Sequence, residues 1–107
     1  MARRAGGYGF LAAGLLGVRG EDVDVSEKQV KLLESVVGLL TPMQRLAVTA
    51  RFGLDPSQLP MTLEELAQLL GITRPRALQM DRRAMRRMRR ILIAQAIGAE
   101  NRPADMP

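Results

Sequence analysis

The chain contains no cysteine and no histidine. The first absence rules out disulfide bridges and thiolate metal sites. The second removes the side chain most often used as a general base and as a metal ligand. Tryptophan is missing as well, and Tyr8, Phe10 and Phe52 are the only aromatic residues. Base stacking is therefore a poor candidate for binding single strands, and the core has to be built from aliphatic side chains and the seven methionines. Long apolar runs are lacking too. Phe10 to Val18 is interrupted by Gly14 and Gly17 and falls short of the ~20 residues that span a bilayer. With Arg3 and Arg4 before it, this stretch has the outline of a short secretory signal, but a tail is the better expectation, and no membrane association is expected.

What the chain has is arginine, in one place. Its 107 residues carry a formal net charge of +5 and a pI of about 11.0, which points to an anionic partner. Between Ile72 and Arg90 there are eight arginines (74, 76, 82, 83, 86, 87, 89 and 90) and one acid, Asp81, so that window alone carries +7. From Glu21 to Leu70 the balance reverses, with eight acids against four bases. Arginines set three and four apart on one helix without acidic partners repel one another. A polyanion such as nucleic acid relieves that repulsion, whereas the plain alternative is a solvated charge run. Asp81 reads as a partner for arginines near it on the same helix.

The arginines sit on the second of two helices. Thr62 can cap the first, and Glu65, three residues on, completes a capping box. Leu63, Leu66, Ala67 and Leu70 then form one apolar face. Gly71 supplies the positive φ of a turn. Thr73 can cap the next helix, and Pro75 falls in its first turn. Ala77, Met80, Ala84, Met88 and Ile91 continue the apolar face. Ala67 and Gly71 stand where the two helices must cross closely, leaving Thr73, Arg74, Pro75, Leu78 and Gln79 on the outer face. A short helix, a glycine turn and a second helix make a helix-turn-helix, which lays its second helix in the major groove of double-stranded DNA. The competing reading is an ordinary helical hairpin with a basic solvated face.

The rest of the chain organises around that unit, in an all-α domain of four to five helices with a C-terminal helix-turn-helix. Residues 1–25 are expected to be a flexible Gly-rich apolar tail, 26–97 the domain, and 98–107 a disordered tail. A helix is expected from Ser26, with Gln29 as its reciprocal cap, to about Leu39, its apolar face made by Val30, Leu33, Val37 and Leu40. Thr41 and Pro42 start another, buried through Leu46, Ala47 and Ala50 and stopped by Gly53 after Phe52. Asp55, Pro56, Ser57 and Pro60 mark a loop. The last helix runs from Arg74 to about Ile97, with Gly98 as its stop. Ile91, Leu92, Ile93, Ala96 and Ile97 are apolar nearly all round, and either pack back on the first helix or make an oligomer contact.

From Leu40 to Arg90 the sequence resembles region four of the housekeeping-type bacterial sigma factors. The matching runs are LTP at Leu40–Pro42, RFGLD at Arg51–Asp55, MTLEELA at Met61–Ala67, GITR at Gly71–Arg74, R-x-x-Q at Arg76–Gln79 and AMRRMR at Ala84–Arg89. The resemblance implies a domain that binds the −35 promoter element through its helix-turn-helix and docks on the flap of the RNA polymerase β subunit, in core enzyme or holoenzyme. By position, Arg74, Arg76 and Gln79 fall to the DNA groove, and Arg51, Thr62, Arg83 and Arg89 to phosphate or activator contacts. Chemistry agrees in kind: Arg reads guanine, Gln reads adenine, and a helix start such as Thr62 suits a phosphate. The chain also departs from the family. Pro75 stands where the family has a base-reading Glu, Leu78 where it has a base-reading Arg, and Met43 replaces a usual polar residue. A chain of this length is not expected to hold the sigma region that melts the −10 element as well.

The DNA-contacting set is thus Thr62, Thr73, Arg74, Arg76, Gln79, Arg82, Arg83 and Arg86. A partner surface is expected at Leu40, Met43, Leu46, Ala47, Ala50, Phe52 and Arg89, with Ile91–Ile97 for self-association. The leading expectation is a small cytoplasmic transcription regulator, of a kind found in phages and mobile elements, resembling a free-standing sigma region four and altering promoter use. The alternatives are an interaction module that mimics or remodels the resident sigma domain, a simple dimeric repressor or activator, and a helix-turn-helix subunit of a packaging or recombination complex. No enzyme is expected. No nucleophile–base pair is evident, no cofactor or metal site stands out, and Glu64 and Glu65 are explained by helix-start electrostatics.

Overall fold

Three helix starts are built from the same local device. In the computed structural model, which describes residues 7–19 and 23–101 and side chains up to residue 98, α2 (Glu27–Gly38), α3 (Pro42–Phe52) and α4 (Leu63–Leu70) follow Ser26, Thr41 and Thr62. Each hydroxyl accepts a hydrogen bond from the backbone N–H three residues on, and the side chain there (Gln29, Gln44, Glu65) accepts from the cap's own N–H. Two orphan donors are thereby satisfied at each start, worth about 1 kcal/mol per cap. Pro42 occupies the first turn of α3 at no cost, since its missing N–H would have had no helical partner.

The stops are glycines in the left-handed region. Gly53 ends α3 at φ 60° and Gly71 ends α4 at φ 67°. At Gly53 a side chain is excluded twice, because a Cβ would also come within 2.9 Å of the Pro60 nitrogen. The intervening loop is tied by Asp55, whose carboxylate accepts from the Ser57 N–H and hydroxyl at 2.9 and 2.8 Å. Those bonds hold its pKa below the usual carboxylate value. The loop then rejoins α3 through the Met61 N–H and the Ala50 carbonyl, 2.9 Å apart.

The long α5 (Arg74–Asn101) organises two apolar clusters, one at Ala77 in its first turns and one at Ala84–Met88 farther along. Ala47 and Ala50 of α3, Leu66 and Ala67 of α4, and Ala77 of α5 form the first. The second holds Leu33, Val36, Val37, Leu40, Val48, Ala84, Met85 and Met88, together with Leu11 from a further helix, α1 (Gly7–Leu16). No strand occurs among the described residues.

α1 corrects the expected tail. Leu11 is fully buried and Ala13 nearly so. Apolar residues surround this helix, so no single stripe marks it in sequence, and its burial comes from α2, α3 and α5 closing on it. Residues 1–6 and 20–22 of that expected tail, and 102–107 of the C-terminal one, lie outside the described residues. Gly98 does not stop α5, which continues to Asn101 with Gly98 in open space and without a positive φ. Of the buried positions, Leu46 is instead 42% exposed, and Met80 and Val30 are half-buried. Val36, Val48 and Met85 are buried without having been anticipated. The apolar end of α5 divides: Ile91 and Leu92 pack on the second cluster, while Ile93 and Ile97 are 58% and 49% exposed.

Candidate nucleic-acid interface

The first cluster positions the turn. Its small residues let α3, α4 and α5 approach closely, and the chain between α4 and α5 is closed by the Ile72 N–H donating to the Ala67 carbonyl at 3.0 Å. Thr73 then starts α5, its hydroxyl accepting from the Arg76 N–H at 3.3 Å and its carbonyl from the Ala77 N–H at 3.0 Å. With Ala77, Ala84 and Met88 fully buried, the rotation of α5 is set, and all eight of its arginines stay exposed.

All eight residues expected at DNA are exposed: Thr62, Thr73, Arg74, Arg76, Gln79, Arg82, Arg83 and Arg86. On α5, Arg76 Nη1 donates to Gln79 Oε1 at 3.1 Å. The bond holds the two side chains together and leaves the Gln79 amide nitrogen and the remaining Arg76 N–H groups to donate elsewhere. Arg74 Nε lies 3.5 Å from Glu64 Oε1, an exposed pair of little net energy that ties the starts of α4 and α5. Leu78 is half-buried and Pro75 exposed in the first turn; neither offers a side-chain hydrogen-bond donor.

The expected partner set does not form one surface. Leu40, Ala47 and Ala50 are buried, Leu40 in the second cluster and the alanines in the first. Phe52 is half-buried against the second cluster. Met43 and Leu46, three apart on α3, are 52% and 42% exposed. Arg89 turns back on the protein, its Nε donating to the Leu15 carbonyl and its Nη2 to the Gly14 carbonyl, both at 3.0 Å. Periodicity treats a short helix as if its whole apolar face met solvent or partner, and misses that α3 is covered on two sides.

Arg51 is likewise engaged internally and not held out for a phosphate. Its Nη1 donates to the Met61 carbonyl at 3.0 Å, its guanidinium lies 5.9 Å from the Phe52 ring centroid, and its Nε is 3.8 Å from Asp81 Oδ1. The Asp81 partner is therefore an arginine of another helix, which same-helix spacing did not reveal. Neither Arg51 Nε nor Asp81 Oδ1 has a hydrogen-bond partner among the described residues. Burial pushes the Asp81 carboxyl above its ordinary value, against the opposing pull of Arg51 and Arg82. Beside the pair, a cleft of about 530 Å³ opens between α1 and α5, lined by Gly14, Phe52, Asp81, Arg82, Met85, Arg86 and Arg89. No group of acids that could hold a metal ion occurs among the described residues, and no described helix is long and apolar enough to cross a membrane.

The sigma-70 region 4 family model matches residues 36–90, which run from α2 through the arginine-bearing part of α5. Over 57 residues, 53% of this chain, the sequence is 40% identical to the RNA polymerase sigma factor SigA1 of Synechococcus elongatus. The RNA polymerase sigma factors SigA of Microcystis aeruginosa and of Synechocystis sp. are each 39% identical over the same length. The match spans only 14%, 14% and 13% of those relatives. No solved structure matches.

Proposed function

The chain belongs to the sigma-70 region 4 family, and we propose on that premise that it is a small transcription regulator that binds promoter DNA, RNA polymerase, or both. The observation that carries the DNA half is the one-sidedness of α5: Ala77, Ala84 and Met88 fully buried behind and, Arg89 apart, seven exposed arginines facing outward. Arg76 and Gln79 are the base readers in this proposal. Arg82, Arg83 and Arg86 contact phosphates, and the starts of α4 and α5 at Thr62 and Thr73 present backbone N–H groups to the same strand backbone. With Pro75 and Leu78 in place of polar readers, sequence preference rests on few contacts and phosphate attraction supplies most of the affinity.

For the polymerase half, the exposed Met43 and Leu46 are the parts of the expected partner set that remain open in the folded chain. The β flap, its core-enzyme or holoenzyme context, and the direction of the effect on promoter use belong to this proposal. A cytoplasmic setting and a non-enzymatic role follow from the same reading. Self-association through Ile93 and Ile97 would add a second DNA half-site.

Fluorescence anisotropy with labelled duplexes tests the DNA half. Affinity should fall steeply with salt, the slope of log K against log [salt] being about −0.9 per phosphate contacted. Arg76→Ala and Gln79→Ala should relax sequence preference, whereas Arg86→Ala should weaken every sequence alike and make the salt slope shallower by about 1. A salt-independent affinity would remove the DNA reading.

A further inference from the structure

α1 has the features of a seated ligand. It lies among α2, α3 and α5 with Leu11 fully buried, and Tyr8, Ala12 and Leu15 pack on the same cluster as Leu40 and Phe52. Its approach to α3 is so close that a Cβ at Gly7 would overlap the Phe52 carbonyl oxygen. At its other end, the Gly14 and Leu15 carbonyls, orphan acceptors of a helix terminus, are taken by Arg89 from 75 and 74 residues away. The helix contributes little to its own stability. It has ten residues, with no acid in its first turn and no base in its last, and an isolated helix of that length is marginal in water. Burial pushes the Tyr8 hydroxyl up, helped by the nearby charge of Glu34, as fits a side chain drawn in against α2.

We propose that α1 is a built-in, displaceable occupant of the apolar groove between α2, α3 and α5, and that an apolar helix of RNA polymerase enters that groove only when α1 leaves. The identity of the incoming helix rests on the polymerase-binding reading above and extends it from the open Met43 and Leu46 to the groove that α1 covers; the occupancy does not rest on it. Departure of α1 uncovers Phe52 and Met85, which stand so near Gly14 that a Cβ there would come within 3.7 and 3.0 Å of them, and releases Arg89 for an anion in the same step. Groove and arginine are therefore opened together.

The test uses the full chain carrying Gly7→Ala, which sets a methyl group against a backbone carbonyl and so unseats α1 without touching α4 or the turn. The probes are a labelled synthetic peptide of residues 7–19 and RNA polymerase core with and without its β-flap tip. Hydrogen exchange should show the amides of Leu11–Leu16 protected in the wild type and unprotected in the variant. The peptide should bind the variant about tenfold or more tightly than the wild type, since a groove filled nine times in ten lowers apparent affinity by that factor. Core polymerase should prefer the variant to a similar extent, with the preference lost on deleting the flap tip or adding excess peptide. Arg89→Gln, which removes the α1 cap without a steric insult, should move both affinities the same way by a smaller factor and covers the case in which Gly7→Ala fails to fold. Equal peptide binding by all chains overturns the proposal, as does continued protection of Leu11–Leu16 in the wild-type complex with polymerase. Peptide discrimination with no polymerase binding by any chain overturns the choice of partner and the polymerase reading while leaving α1 as the occupant.

Discussion

The two apolar clusters share α3 and α5 and differ in the size of what they bury. Around the helix-turn-helix, four of the five buried residues are alanines (47, 50, 67 and 77), and Leu66 is the one large side chain. Around α1 and α2 the buried set is Leu, Val and Met, with Ala84 alone as a small member. Burial of a large aliphatic side chain stabilises by about 1.5–3 kcal/mol, so the second cluster holds the molecule together. The first cluster holds α4 and α5 close, and its geometry depends on the turn and caps more than on apolar area. One cluster supplies stability and the other supplies the placement of Arg76 and Gln79.

Truncation separates these roles most strongly. Leu66→Ala and Met88→Ala should each cost about 2–5 kcal/mol in denaturant unfolding. Only Leu66→Ala should also lower DNA affinity once the folded fraction is accounted for, and equal losses would mean that the clusters act as one. Growth of a small residue sharpens the contrast. Ala77→Leu should destabilise by about 1–3 kcal/mol and shift the α5 amide resonances, while the near-isosteric Met85→Leu should cost under about 1.5 kcal/mol. Thr62→Ala should remove about 1 kcal/mol and weaken DNA binding slightly, whereas Ser26→Ala should cost a similar amount with DNA binding intact.

The smallest effect is a pH dependence where the clusters meet. The folded pKa of Asp81 is raised, so its contribution to stability is fully present below the ordinary carboxylate value and is lost as pH rises through the raised one. Unfolding curves of wild type and Asp81→Asn, measured from neutral pH downward, should shift in favour of the wild type as the carboxylate range is crossed. A difference that stays constant with pH would show that Asp81 is held by Arg51 well enough to cancel its burial.

Helix starts and turns were legible because their chemistry is local. Ser26 with Gln29, Thr62 with Glu65, and the glycines at 53 and 71 each need only a few neighbouring residues to act, and they stand where the pattern places them. The basic face of α5 was legible for the same reason. α1 was not, because its residues favour no side until α2, α3 and α5 surround it. The partners of Arg89 and Asp81 were hidden likewise, being fixed by packing between helices distant in the chain. The exposure of Leu46 and the split of the expected partner surface follow from α3 being covered on two sides. Gly98 shows the reverse limit: glycine permits a stop, and a helix already propagating through Ile93–Ile97 passes it.

The reciprocal caps also bear on the order in which the molecule assembles during synthesis. Nucleation is the costly step of helix formation, and at 26, 41 and 62 the side chains that favour it leave the ribosome within three residues of one another. α2, α3 and α4 can therefore begin to form as they emerge. α1 is made before all of them, yet its seat includes Met85 and Arg89, some seventy residues later. Of the five described helices, the first to be made cannot complete its seat until the last has emerged.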